Sequence, residues 1–251
     1  MKVVATYTIK GGVGKTSAAV NLAHLCARDG ARTLLWDLDP QGAATYIYQV
    51  RSRVKGGGRG LVTGKRPLED AVKSTGFERL DLLPADFSYR NLDLELDDRK
   101  RPTRRLGQLL DGLAQDYDVV FLDCPPGISL TSENVLHAAD TLLVPVIPAT
   151  LSLRTLDQLR QFVADSEKPR PDLVAFFSMV DRRKRLHREV IETIPREGAR
   201  VAETEIPALS IIEQMAELRA PVTASAPSSR AALSYERLWA EVRPAGRARR
   251  P

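Results

Sequence analysis

The sequence predicts an α/β fold, in which a single domain forms on a mostly parallel, twisted sheet with helices on both faces. Short apolar runs of strand length alternate with helical patterns along the whole chain. Such alternation favours a parallel sheet that is covered on both sides. The 251 residues are enough for one large domain with a sizeable core. Because no internal repeat, low-complexity segment or linker divides them, we expect one domain.

The predicted elements follow from apolar runs, helical spacing and turn residues, taken in chain order. Asp29-Gly30 predicts the C-terminal end of the first helix, because glycine suits the left-handed conformation that follows a helix. The glycine-rich and basic stretch 43–66 reads as a solvated flexible loop, with a DNA-facing surface as the lesser alternative. We expect strands at 3–7, 32–39, 80–85, 118–123 and 142–148, a strand and turn at 177–183, and helices at 18–26, 67–72, 87–98, 106–113 and 229–242.

Composition and charge limit the classes of function. Hydrophobic residues make up 43% of the chain, which is typical of a globular protein. The apolar runs are strand-sized, whereas a bilayer-spanning helix needs about 20 residues, and the N-terminus shows no signal-peptide pattern. Neither Cys26 nor Cys124 has metal-ligand spacing, so we expect reduced thiols in the cytoplasm. The net charge of +5 permits binding to nucleic acid or to an anionic membrane and establishes neither.

A glycine-rich stretch joins the first predicted strand to the first predicted helix. Strand, glycine-rich turn and helix form the context of a phosphate-binding loop, whose amides and helix N-terminus face the anion. In this loop Lys15 would reach the β- and γ-phosphates of a nucleotide, and the Thr16 hydroxyl would bind Mg²⁺. The alternative, a turn that only starts a helix, is disfavoured. The candidate nucleotide-binding residues are Gly11, Gly12, Val13, Gly14, Lys15, Thr16 and Ser17.

The loop departs from the usual G-x-x-x-x-G-K-[ST] pattern in an informative way. Ile9 stands where the pattern has its first glycine, and Lys10 adds a second lysine. This arrangement resembles the deviant Walker A motif of the MinD/ParA class of P-loop NTPases. The resemblance implies that Lys10 crosses a dimer interface and contacts the phosphates bound by the partner subunit.

Carboxylates follow two other apolar strands. Asp37 and Asp39 end the second strand, and Asp123 ends the strand that begins near residue 118. Open α/β sheets place their ligands beyond the carboxyl ends of their strands. Asp123 would hold Mg²⁺ through a water, and the turn at 125–127 would act as a switch beside the γ-phosphate. Ordinary polar turns are the alternative, which the neighbouring phosphate-binding loop disfavours.

Together these motifs resemble the ParA/Soj-type partition ATPases, and weaker similarity in the right order extends over nearly the whole chain. The resemblance implies a P-loop ATPase domain at 1–243 and a short basic tail at 244–251. It implies ATP and Mg²⁺ as cofactors, a homodimer on ATP binding, and slow hydrolysis stimulated by a ParB-type protein. Asp39 would orient the attacking water, Asp37 would support the water shell of Mg²⁺, and Lys10 and Lys15 would neutralise phosphate charge. The expected location is the cytoplasm, in association with the nucleoid.

A basic run at 182–185 is the candidate DNA-binding surface, since Arg183 aligns with a family arginine that contacts DNA. Lys184, Arg219 and the tail arginines Arg247, Arg249 and Arg250 would add to a surface that binds DNA without sequence preference. The chain departs from the family at Ile211, where an arginine is common, and at 214–216, where Glu-Ala-Pro is common. A solvated basic helix start is the alternative interpretation.

Three other functions stay open. A MinD-like membrane-positioning ATPase would need a C-terminal amphipathic helix, but residues 235–238 match the ParA end, where that helix packs on the domain. A ParA-like ATPase that positions another cargo fits the same motifs. A biosynthetic enzyme is the third, either an ATP-dependent ligase, for which we locate no substrate pocket, or a nitrogenase-type reductase, which the two cysteines disfavour.

Overall fold

The fold is built on an eight-stranded sheet in the order β3-β4-β2-β5-β1-β6-β7-β8. The computed structural model describes residues 1–64, 67–166, 170–194 and 200–243. Neighbouring strands are parallel, except that β3 and β4 are antiparallel. This confirms the predicted mostly parallel α/β sheet. The strands are β1 (Lys2–Thr6), β2 (Thr33–Asp37), β3 (Lys73–Ser74), β4 (Leu80–Leu83), β5 (Val119–Asp123), β6 (Thr141–Val146), β7 (Asp172–Phe177) and β8 (Arg200–Val201).

Helices cover both faces of this sheet, as predicted. The longer ones are α1 (Lys15–Arg28), α6 (Leu130–Ala138), α7 (Thr150–Asp165), α8 (Arg185–Thr193) and α12 (Arg230–Val242). The shorter ones are α2 (Ala43–Ile47), α3 (Gly57–Thr63), α4 (Leu92–Asp97), α5 (Arg105–Asp111), α9 (Ser210–Glu213), α10 (Met215–Leu218) and α11 (Val222–Ser225). Single 3₁₀ turns lie at Leu68–Ala71, Phe87–Asn91 and Pro102–Arg104.

Two apolar layers hold the central strands. Side chains alternate between the layers along each strand, so that Val4 and Phe121 lie in the layer that contains α1, whereas Leu34 and Leu122 lie in the opposite one. Because both faces are covered, the central strands read as continuous apolar runs. The sheet is therefore a rigid support for the loops at its carboxyl edge.

The C-terminal helix α12 packs on the domain, in agreement with the expectation for its sequence. Tyr235, Leu238 and Trp239 are buried, and the Trp239 indole N–H donates to Asp29 Oδ2 over 2.8 Å. In the described residues, no helix combines the length and the apolarity needed to cross a membrane. The basic tail at 244–251, with its three arginines, lies outside the described residues.

The prediction of a flexible loop at 43–66 was wrong for most of that stretch. It contains α2 and α3, and Ile47 and Leu61 are buried in the core. Asp86 and Ser88, about 30 residues away in the sequence, hold α3 in place. Asp86 accepts from the Val54 amide over 2.9 Å, and Ser88 accepts from the Gly58 amide over 2.8 Å. Residues 65 and 66 lie outside the described residues.

The predicted helix at 87–98 is also interrupted. A 3₁₀ turn at Phe87–Asn91 precedes α4. Asp86 starts that turn, since its carboxylate accepts from the Ser88 amide over 3.0 Å. In this turn the Ser88 hydroxyl faces α3 and accepts from the Gly58 amide. The contact with α3 therefore favours a 3₁₀ turn over a regular helix at this point.

Candidate functional site

The glycine-rich loop lies at the carboxyl edge of the sheet, between β1 and α1. Gly14 has φ +94°, a left-handed conformation that glycine adopts without strain. A Cβ at this position would lie 2.7 Å from Ser178 Oγ at the end of β7. Helix α1 then begins at Lys15, and the Ala18 amide donates to the Gly14 carbonyl over 3.0 Å. The amides of its first turn have no partner within the helix, as an anion site requires.

The remaining residues of the loop surround this helix start. Gly11 and Gly12 are exposed at the rim, whereas Val13 is buried beneath the loop. Thr16 and Ser17 are half-buried in the first turn of α1. The loop thus exposes the backbone of its glycines and anchors itself through one apolar side chain.

Lys15 points into the loop. Its side chain is buried, with the residue 6% exposed, and Nζ donates to the Lys10 carbonyl over 3.4 Å. Burial lowers the pKa of Lys15, while Asp123, Cys124 and Asp39 act in the opposite direction. A hydrogen bond of this length is weak, so the ammonium can exchange the Lys10 carbonyl for another acceptor.

Lys10 lies on the outside of the same loop. It is exposed, and its ammonium forms no ion pair with any residue that the structure describes. Only its carbonyl takes part in the loop, through Lys15. The two lysines therefore differ in their surroundings: the Lys15 ammonium is buried within its own loop, and the Lys10 side chain is exposed.

Two aspartates are buried side by side beneath the loop. Asp37 and Asp123 face each other in the register of β2 and β5, and both residues are 0% exposed. Asp37 Oδ2 accepts from the Thr45 amide over 2.8 Å and from the Thr45 hydroxyl over 2.7 Å. Asp123 Oδ1 accepts from the Thr6 hydroxyl over 3.4 Å. Their other oxygens, Asp37 Oδ1 and Asp123 Oδ2, have no hydrogen-bond partner among the described residues.

Burial and mutual repulsion make this pair costly. Burial raises the pKa of Asp37 to about 6, against the lowering effect of the Thr45 hydrogen bonds. Burial, followed by repulsion from Asp37, raises the pKa of Asp123 well above its usual range, while the nearby Thr16 hydroxyl and Lys15 ammonium act in the opposite direction. Two buried carboxylate oxygens without hydrogen-bond partners are unfavourable next to each other, and a cation bound between them would offset this cost.

The unpartnered oxygens suit a magnesium ion. Mg²⁺ prefers oxygen ligands and keeps several waters, so one or two carboxylates are enough to hold it next to a phosphate. Asp37, Asp123 and the Thr16 hydroxyl supply such oxygens. No group of three or more His, Cys, Asp and Glu residues within the described chain could hold a metal by itself. The remaining ligands would therefore be water and the bound substrate.

Asp39 lies at the mouth of the site, half-buried. The turn after β2 fixes its direction, because its Oδ1 accepts from the Gln41 amide over 2.9 Å and its carbonyl accepts from the Gly42 amide over 2.9 Å. A carboxylate held at the opening can accept a hydrogen bond from water, whereas the buried pair beneath it cannot reach solvent.

The turn at 125–127 is hydrogen-bonded to the segment that joins β1 to the glycine-rich loop. The Gly127 amide donates to the Ile9 carbonyl over 3.0 Å, and the Tyr7 hydroxyl donates to the Gly127 carbonyl over 2.5 Å. Burial raises the pKa of Tyr7 to about 12, so the hydroxyl stays a donor. Tyr7, Thr6 and Thr45 were not predicted as residues of the site. Threonine and tyrosine in or beside apolar strands carry no signal of this role.

The basic run that was predicted to bind DNA is exposed, and its arginines already form ion pairs. The Arg183 side chain is 90% exposed, and its guanidinium contacts both Asp181 oxygens at 2.9 and 3.0 Å. This pairing lowers the pKa of Asp181 to about 2. Lys184 is exposed at the N-cap position of α8, and Arg185, the first residue of that helix, pairs with Glu189 over 2.6 Å. The basic run is thus partly neutralised by nearby acids.

Arg219 lies on a different part of the molecule. Its guanidinium stacks 4.5 Å above the Tyr46 ring, and its Nε donates to the Tyr46 carbonyl over 3.2 Å. Tyr46 belongs to α2, which follows β2, whereas Arg183 follows β7, and β5, β1 and β6 stand between those strands. The structure therefore does not bring Arg219 together with Arg183 and Lys184.

Comparisons with known proteins show the family of the chain. Residues 1–173 match the family model described as an AAA domain. The chain is 32% identical to the sporulation initiation inhibitor protein Soj of Bacillus subtilis over 247 residues, 96% of this chain and 98% of that one. It is 33% identical to the chromosome partitioning protein ParA of Caulobacter vibrioides over 215 residues, 82% of this chain and 80% of that one.

A solved structure with the same fold is the cobyrinic acid a,c-diamide synthase of Mycobacterium smegmatis with bound ATP analog and magnesium. Its TM-score is 0.83 at 26% identity, with coverage of 96% of this chain and 93% of that one. The fold thus has a counterpart of known structure over nearly the whole chain.

Proposed function

The chain belongs to the ParA/Soj-type partition ATPases, and from this premise we propose that it is an ATP-driven dimerisation switch that binds DNA without sequence preference. The observation that carries the proposal is the pair of unpartnered buried oxygens, Asp37 Oδ1 and Asp123 Oδ2, beside a phosphate-binding loop. The substrate is ATP, bound with Mg²⁺, and residues 1–243 act as one ATPase domain.

Within one subunit, residues 11–17 hold the phosphate chain through backbone amides and the Lys15 ammonium. Thr16 and the two buried aspartates would hold Mg²⁺. The ion supplies positive charge to the β- and γ-phosphates, where negative charge develops during transfer. Asp39, fixed at the opening by its turn, orients the attacking water. Positioning and charge stabilisation supply most of the catalysis of such a reaction.

Between subunits, Lys10 carries the coupling. Its exposed ammonium, free of ion pairs with the described residues, reaches the phosphates bound by the partner subunit. Hydrolysis removes the γ-phosphate and with it this contact, so the homodimer dissociates. A ParB-type protein on the cargo stimulates turnover through a basic, flexible segment. The protein then acts in the cytoplasm, on the nucleoid.

The DNA-bound form is the dimer, in which each subunit contributes Arg183, Lys184 and Arg219. Dimerisation doubles the number of phosphate contacts, so affinity for DNA depends on ATP and falls steeply with salt. Arg183 exchanges its Asp181 partner for a DNA phosphate. Arg219, placed beside α2, contacts the backbone at a separate point of the same duplex.

The decisive experiment is retardation of a DNA fragment of arbitrary sequence, with a non-hydrolysable ATP analogue, across a salt series. Wild type should bind only with the analogue, and Arg183→Glu should bind at least about tenfold more weakly. Arg154→Glu is the matched control, since Arg154 is exposed on α7 without an ion pair to the described residues. DNA binding would be removed from the proposal if wild type showed no analogue-dependent binding at low salt, or if both variants lost the same amount of affinity for DNA.

A membrane-positioning ATPase is less well supported. The apolar residues of α12, among them Tyr235 and Leu238, are buried against the domain and do not face outwards. If the protein co-sedimented with anionic vesicles and did not bind DNA, the membrane-positioning function would be favoured instead.

A biosynthetic ligase is the second candidate, favoured by the likeness to the Mycobacterium smegmatis synthase. A shared fold does not determine the reaction. An amide-forming ligase would consume ATP only with a carboxylic acid and an ammonia donor, and it would do so equally well after Lys10→Ala. A partition ATPase would hydrolyse ATP without either substrate and would lose activity in that variant.

A further inference from the structure

A basic cavity lies away from the nucleotide site, between the end of α3 and the segment that joins α4 to α5. Its volume is about 330 Å³. Among the described residues that line it, four are cationic, the others are apolar or uncharged, and none is an aspartate or a glutamate. The lining residues are Val62, Thr63, Arg99, Lys100, Arg101, Arg105 and Gln108.

Arg105 is held firmly at the wall of this cavity. Its Nε donates to the Val62 carbonyl over 2.7 Å, and its Nη1 donates to Gln108 Oε1 over 3.2 Å. A Cβ at Gly64 would lie 2.6 Å from Arg105 Nη2, so the glycine leaves room for the guanidinium. The guanidinium is therefore oriented before any ligand arrives, which lowers the entropic cost of binding.

Arg99 brings a second guanidinium to the same place. Its Nε is buried and has no hydrogen-bond partner among the described residues. Burial, followed by repulsion from Arg99, lowers the pKa of Arg105. Two like charges, one of them with an unpartnered buried donor, are an unfavourable arrangement that an anion would relieve.

Nearby acids do not neutralise the cluster. Asp97 and Asp98 precede Arg99, but both are exposed and neither lines the cavity. Within the part of the chain that the structure describes, none of the four cationic residues forms an ion pair with a carboxylate. Elsewhere on the surface, exposed arginines such as Arg182 and Arg183 do have acidic partners.

We propose that this cavity binds a small ligand that carries a diphosphate group. Four cationic side chains match the three to four negative charges, roughly, of a diphosphate at neutral pH, and guanidinium groups bind phosphate oxygens in pairs. A cavity of this volume lies at the lower limit for small-molecule sites. A recessed site suits a discrete terminal group better than the continuous backbone of duplex DNA. It shares no residue with the phosphate loop or the aspartates.

The test is titration of the full-length Lys15→Ala protein with inorganic pyrophosphate at low salt, followed by calorimetry. Lys15→Ala silences the phosphate loop, so binding that remains reports the second site. We expect binding that weakens about tenfold or more when Arg99→Gln or Arg101→Gln is added. Arg154→Gln, an exposed arginine on α7, is the control and should leave the affinity unchanged. No binding in the Lys15→Ala protein, or equal losses in the control, would overturn the proposal.

Further arms identify the ligand. Orthophosphate should bind at least about tenfold more weakly than pyrophosphate, since one phosphate reaches fewer of the four cationic residues; equal affinity would overturn the diphosphate assignment. ADP binding as tightly as pyrophosphate would support the proposal with a nucleotide as the source, and weaker ADP binding would support it with inorganic diphosphate. If Arg101→Gln impairs DNA retardation as much as pyrophosphate binding, the cluster is a DNA contact and the proposal fails. The results with pyrophosphate, orthophosphate and ADP do not depend on ATP turnover or dimerisation, so they can fail or succeed independently of the proposed function.

Discussion

The acidic pair beneath the phosphate loop and the basic segment after β7 both carry charge, but they place it in opposite surroundings. Asp37 and Asp123 are 0% exposed and keep one oxygen each without a partner. The Arg183 side chain is 90% exposed and already has a partner in Asp181. A carboxylate charge that is buried without a partner destabilises the fold, and a bound cation offsets this cost. Exposed ion pairs, by contrast, form and break with little change in free energy. We therefore expect large effects from changes in the first region and modest ones in the second.

The largest effect should come from Lys15→Ala. Removal of the buried ammonium deletes several charge-assisted hydrogen bonds to phosphate, and we expect ATP affinity to fall by about 100-fold or more. Titration with a fluorescent ATP analogue measures it. Lys10→Ala is the matched control: it should keep the affinity of the monomer for ATP within about threefold, because the Lys10 side chain is exposed and forms no ion pair with the described residues. Wild-type affinity in the Lys15 variant would refute the phosphate-loop assignment.

Asp39→Ala should separate binding from turnover. The variant keeps the buried pair and the lysines, so it should bind ATP and Mg²⁺ normally, while steady-state hydrolysis falls by about 100-fold. Because the γ-phosphate then persists, light scattering should show a long-lived dimer with ATP. Adding Lys10→Ala to this variant should abolish that dimer. If phosphate release continues at the wild-type rate, Asp39 does not orient the water.

Asp37→Asn should stabilise the nucleotide-free protein. Asparagine retains an acceptor for Thr45 and removes the repulsion with Asp123, so we expect a gain of about 1 to 3 kcal/mol at pH 7 in urea unfolding. Burial raises the pKa of Asp37 to about 6, above its unfolded value, so the native state holds the proton more tightly. The gain should therefore be absent below about pH 4, grow as the pH rises to about 6, and stay constant above that.

Asp39→Asn is the control for this experiment, since Asp39 is only half-buried, and its effect should stay within about 0.5 kcal/mol. A destabilised Asp37→Asn protein would mean that the buried charge has a compensating partner, which would break the comparison between the two regions.

The smallest effect should come from Asp181→Ala. The change releases Arg183 from its ion pair, so affinity for DNA with a non-hydrolysable ATP analogue should rise by about two- to fivefold at low salt. Retardation assays measure the rise, and Glu189→Ala, which releases Arg185, is the companion variant. A loss of affinity in Asp181→Ala would show that the pair orients Arg183 rather than competing with DNA.

The contrast between the two regions also explains what was predictable. The strand, the glycine-rich loop and the helix appear at 2–28 nearly as expected, because backbone geometry at Gly14 and helix propensity are local properties. The stretch 43–66 was misjudged because α3 is held by Asp86 and Ser88 from another part of the chain. Glycine content indicated flexibility, and long-range hydrogen bonds overrode it.

The sequence by itself determined the fold class, the position of the phosphate loop and the position of three aspartates at the ends of strands. Each of these depends on residue types at short, regular spacing. Only the tertiary structure decided which groups are compensated. It joins Thr45 to Asp37, Tyr7 to Gly127 and Arg105 to α3, and it separates Arg219 from Arg183. The physical reason is that burial and pairing depend on neighbours distant in the sequence, and these set the free energy of a charge more than its identity does.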